Sequence, residues 1–197
     1  MAATCRYLAS ARLKHIGTFS SHTTTILSLG LIFLPLMQSA GLQLSFPERL
    51  LGIIQIFLAV AVLVFSVINT QGRYSLRAEK MNQCGDKIKE IQRCLSSDIK
   101  NKGDPNYDFY HLKYLDIEVD AENHSRNDYM FAKLNLSSIY SLSGYKRFYT
   151  VIFAYMGKAI SFTGPFLMVC MVFLIILDAL KIFTPISDVM VPLLANG

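Results

Sequence analysis

Two long uncharged segments that lie close together in the chain constrain its fold most strongly. Thr23 to Leu44 is a run of 22 residues without a charged side chain, and Leu50 to Gly72 is a run of 23. A helix needs about 20 apolar residues to cross the hydrocarbon core of a bilayer. Because only Ser45 to Arg49 separate the two runs, they predict an antiparallel transmembrane hairpin.

A third hydrophobic segment follows near the carboxyl end. Ala159 to Leu177 is a run of 19 residues without a charge, and its Gly164-Pro165 pair predicts a kink. Aromatic and basic residues of the kind found at a membrane interface precede it, namely Tyr145, Lys146, Arg147, Phe148, Tyr149 and Tyr155. We expect a third transmembrane helix and a short tail after Lys181. A re-entrant or interfacial segment is the alternative.

Basic residues stand at both outer ends of the hairpin, whereas its turn carries a single Arg49 beside Glu48. Since basic loops stay inside, we expect the N-terminus and the central segment to be cytoplasmic. A signal peptide or a mitochondrial transit peptide is the alternative for the N-terminal part. The predicted domains are a basic cytoplasmic arm (1–22), the hairpin (23–72), a cytoplasmic helical domain (73–147), and an interfacial segment with the third span and tail (148–197).

The central segment, residues 73–147, holds 13 of the 19 basic and 11 of the 14 acidic residues. This near balance is typical of a solvated domain and argues against direct binding of nucleic acid. Apolar residues with spacings of three and four predict a cytoplasmic helix seam, formed by Met81, Cys84, Ile88, Ile91 and Leu95.

Between residues 50 and 99, the residues that most weaken a helical interpretation are Gly72 and Gly85, so the second span can continue as one long helix. A turn at residues 101–106 and a second helix, from about Tyr107 to Glu122, predict an antiparallel helix pair. Ser125 and Asp128 have the spacing of a capping box for a third helical segment. The expected fold class is therefore an all-α membrane protein.

Small or polar residues form a stripe along the second span, with spacings of three and four. The stripe comprises Gly52, Gln55, Ala59, Val62, Ser66 and Asn69. Small residues allow close helix–helix contact, and polar residues at membrane depth often face water or a partner. Gln55, Ala59, Ser66 and Asn69 are therefore candidates for helix packing or for lining a pore in a homo-oligomer.

Just beyond the second span, Arg73, Arg77 and Lys80 share one helix face, which favours contact with lipid phosphates. Catalytic signatures such as HExxH, a Gly-rich phosphate loop and GxSxG are missing from the sequence. The four cysteines form no CxxC pair. We therefore expect reduced thiols, no metal site, no cofactor and no enzymatic activity; a membrane-bound enzyme is the least supported alternative.

The order of these features resembles the SLATT family, the SMODS- and SLOG-associating two-transmembrane effector domains. The resemblance rests on Arg6-Tyr7 and Arg12-Leu13-Lys14, on the tight hairpin, on Tyr74 to Met81 with Gln83-Cys84-Gly85, and on Glu122 to Ser125 with Asp128-Tyr129. It covers roughly Arg6 to Leu136, and the third hydrophobic segment looks like an extension of the two-span domain.

The resemblance implies a membrane effector of a bacterial antiphage conflict system, located in the inner membrane. Such an effector is expected to respond to a nucleotide second messenger or a defence-system partner protein, and then to permeabilise the membrane. A membrane anchor that recruits a cytoplasmic sensor or enzyme is the alternative function.

Overall fold

The computed structural model describes residues 1–42, 44–103, 105–119, 122–136, 144–182 and 188. Over these ranges the chain forms helices and no strand, which confirms the all-α class. The segments 183–187 and 189–197, which make up most of the expected tail, lie outside the described residues. The helices are α1 (Ala2–Ser39), α2 (Glu48–Gly72), α3 (Tyr74–Lys102), α4 (Tyr107–Val119), α5 (Arg126–Asn135) and α6 (Tyr145–Ala179).

The chain divides into two compact units. We call Thr18–Gly72 with Phe162–Gly197 the membrane unit, and Met1–Gly17 with Arg73–Ser161 the head unit. Within the described ranges, three helical regions are long and apolar enough to cross a membrane, namely α1, α2 with its continuation, and α6. The chain is therefore a membrane protein with three candidate spans.

The core of the membrane unit consists of aliphatic side chains from α1, α2 and α6. Gly30 of α1 permits close contact, because a Cβ atom there would lie 2.8 Å from Cγ1 of Val172 in α6. Because lipid tails are as apolar as these side chains, the three-helix arrangement is stabilised mainly by close packing and the dispersion contacts that it creates. The most buried members are Leu27, Leu34, Leu51, Leu58, Val172 and Ala179.

The hairpin turn is longer than the sequence predicts. The first helix ends at Ser39, five residues before Leu44, and α2 begins at Glu48. The Pro47 carbonyl accepts the Leu51 N–H at 3.1 Å, which closes the first turn of α2. Ser45 holds the turn against the end of α6, since its hydroxyl donates to the Asp178 carbonyl at 2.7 Å.

A single residue interrupts the expected continuous helix. Arg73 lies between α2 and α3 with a φ of 41°, in the left-handed region that non-glycine residues rarely adopt. The membrane unit ends at Gly72 and the head unit resumes at Arg73. The sequence offers Gly72 at this place, but the left-handed residue is the arginine beside it.

The head unit packs the first turns of α1 against α3 and α4. Ala3, Cys84, Ile88, Ile91 and Ile117 share one buried cluster. The antiparallel pair predicted for α3 and α4 is present, because Tyr110 donates to Asp98 at 2.8 Å near one end and Ile117 packs beside Cys84 near the other. Glu122, the predicted end of the second helix, lies outside α4.

Candidate functional site

Three arginines of the head unit contact the end of α4, Glu122 and the first turn of α5. Arg6 and Arg12 come from α1, and Arg77 comes from the first turn of α3. Their partners lie in or beside the segment Glu122–Asp128. We call this set of contacts the arginine clamp.

The pair Arg12–Asp128 is the most buried ion pair of the clamp. Arg12 Nε donates to Asp128 Oδ1 at 2.9 Å, and Arg12 Nη2 donates to Oδ2 at 3.1 Å. The Asp128 side chain is only 3% exposed. Two parallel N–H···O bonds fix the geometry of such a pair as well as contributing energy.

Asp128 also starts α5. The Ser125 hydroxyl accepts the Asp128 N–H at 3.2 Å, while the Ser125 N–H donates to Asp128 Oδ2 at 3.0 Å. This reciprocal arrangement confirms the predicted capping box. The carboxylate that caps α5 is therefore the same group that anchors Arg12 of α1.

Arg77 forms a second bidentate pair nearer the surface. Its Nε and Nη2 atoms donate to the Glu122 carboxylate at 2.7 Å and 2.8 Å. The hydrogen bond from Arg77 lowers the pKa of Glu122 from its ordinary value of 4.5. Both side chains are more than a third exposed, so solvent screening limits the contribution of this pair to stability.

Arg6 is the buried member of the clamp, at 3% exposure. Its Nη1 donates to the Glu122 carbonyl, and its Nη2 lies 3.9 Å from Glu118 Oε1. A guanidinium retains its charge at every relevant pH, so burial requires such partners. Arg6 therefore ties α1 to both the end of α4 and the following segment.

Tyr7 packs beside the clamp against the start of the α3 seam. A Cβ atom at Gly85 would lie 3.0 Å from Cε1 of the Tyr7 ring, so this helical position favours glycine. The Tyr7 hydroxyl donates to Asp86 at 2.6 Å, and Lys89 Nζ lies 4.5 Å from the ring centre. Burial and this hydrogen bond raise the pKa of Tyr7 to about 12.

Some residues of the polar stripe of α2 contact α1, and others are exposed. Gln55 Nε2 donates to Gln38 Oε1 of α1 at 2.7 Å, and Asn69 Nδ2 donates to Ser21 Oγ at 3.0 Å. Ala59 and Ser66 are exposed. The structure thus brings Gln55 and Asn69 into contact with α1 and leaves the two small residues on an open face.

The predicted helix seam is mostly buried, whereas the residues expected to contact lipid phosphates are mostly exposed. Met81, Cys84, Ile88 and Ile91 are buried, and Leu95 is half-buried at the end of the seam. Burial raises the pKa of the Cys84 thiol, which favours its protonated form. In the group expected to contact lipid phosphates, Arg77 is engaged by Glu122, whereas Arg73 and Lys80 are exposed.

Sequence reasoning assigned Arg6 and Arg12 to a basic arm, whereas the structure places both in a packed helix. The reason is that carboxylates and carbonyls more than 100 residues away compensate the two charges. A signal was available, since both arginines, Glu122 and Asp128 belong to the motifs that carry the family resemblance. In the described part of the chain, no cluster of three or more His, Cys, Asp and Glu side chains is placed to hold a metal ion.

Comparison with known proteins extends this picture to nearly the whole chain. No curated protein and no solved structure matches it. The model of the SMODS and SLOG-associating 2TM effector domain family 5 matches residues 1–177. The match contains the arginine clamp and also Ala159–Leu177, so the third hydrophobic segment lies within the family domain. The chain therefore belongs to family 5 of the SMODS and SLOG-associating two-transmembrane effector domains.

Proposed function

We propose that this protein is a membrane effector of a bacterial antiphage conflict system that assembles into a homo-oligomeric pore. A nucleotide signal or a partner protein acts as the trigger, and the open pore permeabilises the inner membrane. Membership of an effector-domain family is the observation that carries the proposal. The three apolar helical regions supply the membrane-spanning part.

The open face of α2 supports self-association. Gly52, Ala59 and Ser66 recur every seven residues, and a Cβ atom added at Gly52 would have no neighbour within 4 Å. Because small residues let helices approach closely in lipid, this face suits contact with α2 of a second copy. Gln55 and Asn69, which contact α1, would enter a pore lining only after the helices rearrange.

The head unit is suited to receive the trigger. Residues 1–17 and 73–161 belong to this one unit, which supports placing the N-terminus and the central segment on the same side of the membrane. The excess of basic residues at the outer ends of the hairpin favours the cytoplasmic side. In this account, Arg73 and Lys80 contact lipid phosphates, and the clamp transmits a change in the head unit to the start of α3.

Cysteine cross-linking in native membranes tests the proposed contact. Ala59→Cys and Ser66→Cys are placed in a background with Cys94→Ser and Cys170→Ser. We expect both variants to form disulfide-linked dimers under mild oxidation. Phe57→Cys and Val64→Cys are matched controls, because their exposed positions lie about 140–160° around the helix from Ala59. Equal cross-linking at all four positions, or none at any, would contradict the α2 contact.

A membrane anchor that recruits a cytoplasmic protein is the second candidate function. Exposed apolar side chains on α4 favour it, since Phe109 and Leu112 are 55% and 67% exposed in the head unit. This function predicts that reconstituted membranes stay sealed at every protein density. It also predicts that Leu112→Asp abolishes antiphage activity in cells without changing the amount of protein inserted in the membrane.

A further inference from the structure

A small cavity lies in the head unit between α1, α5 and α6. Its volume is about 140 Å³, and its lining includes Arg12, His15, Asn127, Asp128 and Lys158. Sites for drug-sized ligands usually have volumes of about 300–1,000 Å³. The cavity can therefore hold one small polyatomic group with a few waters, but not a whole nucleoside.

The charges around the cavity favour an anion. Arg12, His15 and Lys158 supply N–H donors from two different helices, and Asp128 is the one carboxylate among the described lining residues. Asp128 is 2% exposed, and its oxygens already accept hydrogen bonds from Arg12 and Ser125. Its charge is thus compensated inside the protein and opposes an incoming anion only weakly.

Arg12 retains hydrogen-bond donors beyond the two that it uses in its pair with Asp128. A guanidinium has five N–H groups, and the pair with Asp128 uses one on Nε and one on Nη2 of Arg12. Lys158, which also lines the cavity, adds three donors on an exposed side chain. Together they provide the convergent donors that an oxyanion requires.

We propose that this cavity binds a phosphate group, held by Arg12, His15 and Lys158. The group is inorganic phosphate, the terminal phosphate of a larger soluble molecule, or a lipid headgroup phosphate. Binding would bridge α1 and α6 within the head unit. The proposal does not depend on pore formation.

Isothermal titration of the full chain in nanodiscs of neutral lipid tests this site, with inorganic phosphate as the probe and ionic strength held constant. We expect saturable binding of one phosphate per chain. Lys158→Gln should weaken phosphate binding about tenfold or more, because it removes charge-assisted hydrogen bonds. Lys146→Gln is the matched control, as this exposed lysine of the same helix lies outside the cavity lining, and its affinity should equal that of the wild type.

Two further arms distinguish the sources of the phosphate. Competition by adenosine monophosphate supports a soluble monoester, and loss of phosphate binding in nanodiscs that contain phosphatidic acid supports a lipid headgroup. Binding of phosphate alone supports the free ion. The proposal is overturned if no saturable binding occurs up to about 10 mM phosphate, an affinity weaker than about −3 kcal/mol. It is also overturned if Lys146→Gln weakens binding as much as Lys158→Gln.

Discussion

At Asp128, four hydrogen bonds meet on one buried carboxylate, two from Arg12 and two from Ser125. This residue joins a local function, the start of α5, to a long-range one, the attachment of α1. A buried carboxylate without such partners would be strongly unfavourable. The clamp therefore makes the packing of the first turns of α1 dependent on ionic contacts as well as on apolar burial.

Replacement of Arg12 tests how much the clamp contributes to stability. Arg12→Ala leaves the Asp128 carboxylate buried with only Ser125 as a partner, so we expect a loss of about 2–3 kcal/mol. For a chain of this size, the thermal midpoint in detergent should fall by about 5–10 °C. Lys14→Ala, at an exposed position of the same helix, should change stability by less than about 0.5 kcal/mol. Equal midpoints for the two variants would show that the ion pair contributes nothing.

The pair Arg77–Glu122 predicts a pH dependence on the acid side. Because folding lowers the pKa of Glu122 below 4.5, its contribution is complete above that pH and is lost as the pH falls through the lowered pKa. The pair is exposed, so we expect Glu122→Gln to cost no more than about 1 kcal/mol at pH 7.

Thermal midpoints of the wild type, Glu122→Gln and Arg77→Gln between pH 7 and pH 3 check this expectation. Both variants remove the same pair from opposite sides and should converge with the wild type as the pH falls. A difference from the wild type that stays constant down to pH 3 would mean that the Glu122 carboxylate is not the titrating group.

Residue-level contacts could be predicted only in part. The spacing of Ser125 and Asp128 gives the capping box, because that interaction is local in sequence. The pairing of Arg12 with Asp128 joins residues 116 positions apart and depends on how α1 docks. Local charge patterns place Arg12 in a basic arm and Arg77 beside the membrane, and neither pattern indicates the distant carboxylate that each residue binds.

At the scale of helices, the α3 seam gives a direct test of packing. Ile88 is 4% exposed in the cluster shared with α1 and α4, whereas Ile99 of the same helix is 47% exposed. We expect Ile88→Ala to cost about 2–4 kcal/mol, since it removes buried methyl groups and leaves a cavity. Ile99→Ala should cost less than about 1 kcal/mol. Thermal midpoints that fall by similar amounts in the two variants would contradict the assigned packing.

The helices themselves were largely predictable, and their ends were not. Hydrocarbon tolerates few charges, so the uncharged runs identify α2 and the apolar part of α6 directly. The actual end of α1 at Ser39 is set by Gly41, whose φ of 73° lets its N–H donate to the Gln38 carbonyl at 3.1 Å, a local stop that the uncharged run alone does not reveal. The position of the break could not be predicted either. Gly72 has the conformational freedom for a left-handed backbone, yet Arg73 beside it adopts that conformation.

At the scale of the whole molecule, the proposed sites for the trigger and for self-association lie in different units. The head unit contains the clamp and the proposed phosphate site, while the membrane unit contains the open face of α2. Pore formation requires that copies associate through the membrane unit. It also requires that a polar path form where Gln55 and Asn69 now contact α1.

Single-channel recording in planar bilayers tests pore formation most directly. The full chain is reconstituted at increasing density, and protease protection establishes how much protein is inserted. We predict discrete conductance steps whose frequency rises more steeply than protein density. Ser66→Leu should suppress the steps, whereas Val64→Leu, an exposed position on a different side of α2, should preserve them. A sealed bilayer at every density of inserted protein, or equal conductance in the two variants, would contradict the account.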